Sequence, residues 1–172
     1  MNSNSIRTVF IWSIIVALGG FLFGFDTAVI SGVEQQVQEL FSLSSFMHGF
    51  TIASALIGTV IGALIAGRPA DRFGRKPVLL IIAILYFISA IGCAAANNVT
   101  TLIIFRFIGG IGVGGSSVVA PMYISEISPA HVRGRMTALF QFNVISGILI
   151  AYVSNYLLRN VGTRTMEMDA GN

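Results

Sequence analysis

Gly67-Arg68-Pro69-Ala70-Asp71-Arg72-Phe73-Gly74-Arg75-Lys76 holds four of the chain's ten Lys and Arg residues, and two long runs without a charged residue flank it, Met47 to Ala66 and Val78 to Ala96. About 20 apolar residues in a helix cross roughly 30 Å of hydrocarbon. The segment therefore reads as a short charged turn between two membrane spans. Pro69 favours a helix start, Gly74 permits a tight turn, and Asp71 can form salt bridges with the surrounding cations. A turn this short keeps its two helices side by side, which makes the fold a bundle of antiparallel spans.

Three further runs of similar length lie on either side: Val9 to Ile30, Leu102 to Ile124 and Met136 to Leu158. The composition agrees, since 55% of the 172 residues are hydrophobic and 10% charged, against about a quarter charged in an average soluble domain. The expected fold class is an all-α membrane protein with five transmembrane helices, at 9–30, 47–66, 78–96, 102–124 and 136–158, followed by a divergent, disordered tail at 159–172. Arg7 before the first run raises a signal peptide as an alternative. The run is longer than an h-region of about 7–15 residues and has no small-residue cleavage site, so it reads as a retained helix. The connections after the second and fourth spans are basic, and those after the first and third hold no Lys or Arg. By the positive-inside rule the N-terminus is cytoplasmic in a multi-pass protein of the cell (plasma or inner) membrane.

Net charge +3 and pI near 9.5 record these basic turns, because the cations cluster at helix ends instead of forming a continuous patch with stacking aromatics; nucleic acid is not an expected partner. Cys93 stands alone and closes no internal disulfide. No nucleophile has a base nearby and no residues have metal-ligand spacing, so neither an enzyme nor a cofactor is expected. Gly110-Ile-Gly112-Val-Gly-Gly115 satisfies G-x-G-x-x-G but lies in a span, not after a strand, which removes the dinucleotide reading. Gly20 and Gly24, Gly58 and Gly62, and Gly110 and Gly114 are each four apart, the spacing that lets transmembrane helices approach closely. Val33 to Phe41 has the period of a short surface helix, and Trp12 reads as an interfacial aromatic.

Asp26 is the one acid well inside a span, and Arg106, near the start of the fourth, is the one base at comparable depth. An intramembrane carboxylate marks a functional site by default. Opposite charges are tolerable there together and expensive apart, since breaking a buried pair costs about 3–5 kcal/mol. Protonation of Asp26 releases Arg106, so the pair reads as a proton switch, with a purely structural ion pair as the alternative. At the fourth helix end, Glu126 and Arg133 can be brought near the first turn, forming a charge latch with it.

These residues carry a specific resemblance. Gly67-x-x-x-Asp71-Arg72-x-Gly74-Arg75-Lys76 is similar to the loop signature of the major facilitator superfamily. Phe23-Gly-Phe-Asp26-Thr-Ala-Val-Ile-Ser-Gly32, Arg106-Phe-Ile-Gly-Gly-Ile-Gly-Val-Gly114 and Pro121-Met-Tyr-Ile-Ser-Glu126-Ile-Ser-Pro-Ala-His-Val-Arg133-Gly134 look like its sugar porter family, from Leu18 to Leu158. The resemblance implies two six-helix halves that rock about a central sugar site, this chain matching most of the N-terminal half. It implies a proton-coupled symporter, with Asp26 as protonation site and Arg106 as its partner. The sugar, a monosaccharide or polyol, meets Gln141 and Phe23, with Val144 one turn beyond Gln141; an amide both donates to and accepts from hydroxyls. Gly67, Asp71, Arg72, Gly74, Arg75, Lys76, Glu126 and Arg133 form the cytoplasmic gating network. Where the family continues into a sixth helix and a second half, this sequence runs from Arg159 to Asn172. It is expected to be a truncated, inactive fragment that requires the missing half. A passive sugar facilitator and a non-transporting remnant or regulatory partner are the alternatives.

Overall fold

The computed structural model describes residues 11, 14–28, 38 and 41–169, with the backbone alone for 158–169. Its helices are α1 (Ile14–Ala28), α2 (Ser45–Phe73), α3 (Arg75–Ala94), α4 (Val99–Ile127) and α5 (Arg133–Asp169). Each falls on one of the five expected spans. α2, α3, α4 and the Arg133–Leu157 part of α5 are long and apolar enough to cross a membrane. The ends of the first span, most of the Val33–Phe41 surface helix and Trp12 lie outside the described residues.

Local chemistry sets the helix ends. The Ser44 hydroxyl accepts from the Met47 amide at the start of α2, and the Asn98 side chain accepts from the Thr101 amide, 2.8 Å, at the start of α4. Both satisfy amides that have no intrahelical partner. The turn between α2 and α3 contracts to one residue: Gly74, at φ 89°, caps both helices in a conformation that a side chain would strain. Pro77 sits in the first turn of α3, where its missing N–H leaves nothing unbonded.

Pro69 does not start a helix; it lies inside α2, which runs on to Phe73. The expected bounds stopped where hydropathy falls, whereas hydrogen bonding continues through Arg and Lys, which are good helix formers. At about 1.5 Å per residue the 29 residues of α2 outreach the hydrocarbon and carry the charged turn into the interface. The α5 backbone is helical through Asp169. Extending a formed helix adds one hydrogen bond per residue fixed, and no proline interrupts this segment.

The bundle is zipped by glycine. A Cβ added at Gly58 or Gly62 of α2 would fall on the carbonyls of Phe107 or Ile111, and one at Gly110 or Gly114 of α4 would fall on those of Ala55 or Thr59. The two backbones therefore touch over two turns in each direction. α1 and α5 repeat the arrangement: Gly20 and Gly24 face the Phe140 and Val144 carbonyls, and Gly147 faces Phe21. All three pairs expected to mediate close packing do so.

α4 is the hub, packing on α2, α3 and α5. It carries the largest fully buried side chains, Val119 and Ile124, one in each of two small cores. Leu64 is 77% exposed and Phe46 80%. Large apolar side chains outside and small ones inside suit a surface that meets hydrocarbon, where backbone approach and van der Waals contact drive packing.

Candidate functional site

Two polar groupings interrupt this apolar bundle. One gathers at the Gly74 end. The Arg75 Nη2 lies 2.8 Å from Asp71 Oδ1, its Nε lies 2.9 Å from Glu126 Oε1, and its Nη1 donates to the Ala70 carbonyl, 2.8 Å. One guanidinium thus joins the end of α2, the start of α3 and the end of α4. The planar fork of arginine serves several acceptors at once, which a lysine ammonium does less well. The Arg75 side chain is 21% exposed and its two carboxylates are 66% and 49% exposed, so the arrangement is a surface clasp open to salt.

The remaining residues assigned to this network are placed less tightly. Arg72 lies over the Phe73 ring at 5.4 Å, and Lys76 is exposed in the first turn of α3. Arg133 is exposed at the start of α5 and forms no ion pair with Asp71 or Glu126. The turn from Ser128 to Val132 separates α4 from α5 and carries it away. Gly67 lies inside α2, and a Cβ there would meet nothing; nothing in the structure explains that glycine.

The second grouping lies within the spans. Asp26 on α1 is half-buried in the field of the Arg106 guanidinium of α4. The two do not close into an ion pair within 4.0 Å, whereas Arg75 does so with both Asp71 and Glu126. Among the described residues the buried Arg106 Nε has no hydrogen-bond partner, so the base holds unspent donor capacity beside the acid.

The sequence reading missed the third wall of this site. Tyr86, Ser89 and Cys93 fall at i, i+3 and i+7 on α3, a polar stripe in an apolar helix. The Tyr86 hydroxyl donates to the Leu22 carbonyl of α1, 3.4 Å, one turn before Asp26 on that helix. The Ser89 hydroxyl donates to the Phe105 carbonyl, 2.6 Å, next to Arg106. That periodicity was the available signal.

Of the three residues expected to meet sugar, Phe23 and Val144 share one small core and Gln141 stands outside it. Gln141 is exposed on α5. Phe23 is half-buried and packs on the Ala17–Phe140–Val144 core. Val144 is 6% exposed, seated where Gly24 draws the α5 backbone against α1. Phe23 and Tyr86 also line a cavity of about 800 Å³ between α1, α3 and α4. Its walls are almost wholly apolar and include neither Asp26, Arg106 nor Gln141, so it lacks the convergent polar groups that sugar hydroxyls need.

Comparison with known proteins gives one consistent answer. Residues 12–168 match the family described as "Sugar (and other) transporter". The chain is 45% identical over 154 residues to the glucose transport protein of Synechocystis, covering 90% of this chain and 33% of that protein. It is 44% identical over 169 residues to the arabinose-proton symporter of Bacillus subtilis, covering 98% and 36%. Among solved structures, the major facilitator superfamily proton:xylose symporter XylE bound to 6-bromo-6-deoxy-D-glucose superposes with a TM-score of 0.82 at 39% identity, over 93% of this chain and 38% of that one. The inward open conformation of the Escherichia coli xylose transporter superposes at 0.79 with 40% identity, over 87% and 40%. The chain thus spans about a third of the length of the curated relatives it matches.

Proposed function

The chain belongs to the sugar transporter family of the major facilitator superfamily, and from that premise we propose that it serves proton-coupled sugar transport across the cell membrane, with its N-terminus in the cytoplasm. The observation that carries the reading is that Asp26, an intramembrane acid, lies in the field of the intramembrane base Arg106, in a chain similar over 98% of its length to an arabinose-proton symporter.

Asp26 takes up the proton. As a carboxylate it draws the Arg106 guanidinium, whose Nε lacks a partner in the described arrangement; as a neutral acid it releases Arg106. Charge held between α1 and α4 in one state and not in the other gives the two states different energies, which alternating access requires. Gln141, exposed on α5 and able both to donate and to accept, is the residue proposed to meet sugar hydroxyls, with Phe23 beside the core that fixes α5 against α1. The Arg75 clasp is the proposed latch on the cytoplasmic side, and any activity requires the second half from which the partners of the clasp and of the sugar site come.

The test is uptake of a radiolabelled pentose or hexose into vesicles bearing the chain, together with a second half supplied by a close relative. Accumulation is expected under an inward proton gradient, with loss on adding a protonophore. Asp26→Asn abolishes accumulation and leaves sugar exchange without a gradient. Accumulation by that variant at the wild-type level overturns proton coupling; uptake indifferent to the gradient in the wild type indicates a facilitator instead.

A further inference from the structure

We infer that Ser89 is a positioning residue for Arg106: its bond to the Phe105 carbonyl, made in the notch that Gly109 leaves, fixes the turn of α4 about its own axis so that Arg106 faces α1. The inference rests on the proposed partnership of Arg106 with Asp26 and names what holds the base to it.

This hydroxyl differs in direction from others in the bundle. Those of Thr51, Ser54, Thr59, Ser117 and Ser125 each bond back to a carbonyl three or four residues earlier on their own helix. Ser89, 6% exposed, crosses instead from α3 to the Phe105 carbonyl of α4, 2.6 Å. A carbonyl has two lone pairs, so Phe105 can accept this bond and keep the one along its helix. A buried hydroxyl needs an acceptor, and one that finds it on another helix ties the two together.

Two glycines shape the contact. A Cβ on Gly109 would fall on the Ser89 Oγ, and a Cβ on Gly92 would fall on the Phe105 ring. Each helix thus seats one side chain in a notch of the other, at the level of Arg106. Such an interlock resists rotation as well as separation.

Rotation is what matters to Arg106. Phe105 and Gly109 lie about 100° and 60° to one side of it around α4, towards α3. Arg106 itself shares a row with Val113, Ala120 and Ile124, at steps of seven, seven and four residues. Ala120 and Ile124 pack in one core with Ala17 of α1, which sets that row on the α1 side. Loosening the α3 seam frees α4 to turn Arg106 away from α1.

The experiment makes two measurements. In the reconstituted chain, solid-state NMR dipolar recoupling between labelled Asp carboxyl carbons and Arg guanidinium nitrogens reports the approach of Arg106 to Asp26, as the part of the signal that Asp26→Asn removes. Other contacts, Asp71 with Arg75 among them, supply a constant remainder. Ser89→Ala removes the hydroxyl and Gly109→Ala fills its notch; each is expected to roughly halve the Asp26-dependent part, one hydrogen bond being worth a few-fold in the population of the aligned setting. Ser54→Ala, which removes a buried hydroxyl bonded within its own helix, is expected to leave it unchanged. Helical content by circular dichroism should match the wild type in Ser89→Ala. In vesicles completed with the second half, Ser89→Ala is expected to lower proton-driven sugar accumulation about fivefold and to leave gradient-free exchange at the wild-type rate, whereas loss of packing alone lowers both together.

A wild-type signal indifferent to Asp26→Asn overturns the inference, as does one that Ser89→Ala or Gly109→Ala leaves whole, one that Ser54→Ala lowers as much, or accumulation and exchange that fall together. The two readings fail separately. If Ser89→Ala loses the Asp26-dependent signal while wild-type uptake ignores the gradient, proton coupling is lost and the positioning of Arg106 stands. If uptake is proton-driven and Ser89→Ala matches the wild type in both measurements, only the role of Ser89 is lost.

Discussion

Arg75 illustrates how much depends on the shape of one side chain. Its guanidinium meets two carboxylates and a helix-terminal carbonyl at 2.8–2.9 Å, and exposed pairs of this kind contribute about 0–1 kcal/mol each. Arg75→Lys is expected to lower stability by about 1 kcal/mol, because an ammonium cannot span all three acceptors. Glu126→Gln should cost less, and its difference from the wild type should shrink at high ionic strength as screening weakens the pair. Thermal unfolding in detergent at low and high salt measures both; a salt-independent loss in Glu126→Gln would show that the pair is not electrostatic in origin. At this scale the sequence was informative where charge is scarce. Asp26, Arg106, Arg75 and Glu126 stood out because a charge in or beside a span has few reasons to be there. Tyr86 did not, since an aromatic in an apolar helix has many bland roles and its hydroxyl acquires a purpose only from what α1 sets opposite it. The burial of Val144 was not readable along α5 either, because it is decided by a glycine on another helix.

Helix pairing makes sharper demands than helix formation. A Cβ on Gly114 would collide with the Thr59 carbonyl, while one on Gly49 in α2 would meet nothing within 4 Å. Gly114→Ala is therefore expected to destabilise by roughly 1–3 kcal/mol, because backbone must yield to admit the methyl. Gly49→Ala is expected to be neutral or to gain up to about 1 kcal/mol from helix propensity. Chemical denaturation of the two variants side by side checks the contrast, and equal stabilities would show that α2 and α4 are less closely apposed than described. The four-residue glycine spacing made these contacts legible in advance, because a small residue on one face of an apolar helix has few other uses. Helix ends were less so: hydropathy reports where hydrocarbon stops, and α2 passes that point through Pro69 to Gly74. The glycine turn itself was readable, though not its contraction to a single residue.

The whole molecule has an inverted look, with Leu64 and Phe46 outward and glycine, alanine and serine inward, and this follows from a solvent that is itself apolar. Its orientation is the testable matter. In a Cys93→Ser background, a membrane-impermeant maleimide is expected to label Asn97→Cys on intact cells and Arg135→Cys only after permeabilisation, both positions being exposed; the opposite pattern would reverse the assignment made from the basic turns. The bundle and its antiparallel path were legible from five apolar runs, whereas the apolar cavity among α1, α3 and α4 was not, since it depends on how side chains on three helices fail to meet. One consequence follows from Arg106 and Glu126 riding on the same helix. Twenty residues apart along α4, they stand about 30 Å from one another at 1.5 Å per residue. A rod of that length pivoting by roughly 5° at the Arg106 end moves the far end by about 2.6 Å, a displacement comparable with the 2.9 Å contact between Glu126 and Arg75. α4 is thus a lever long enough for an angular change too small to disturb its packing at one end to open a clasp at the other.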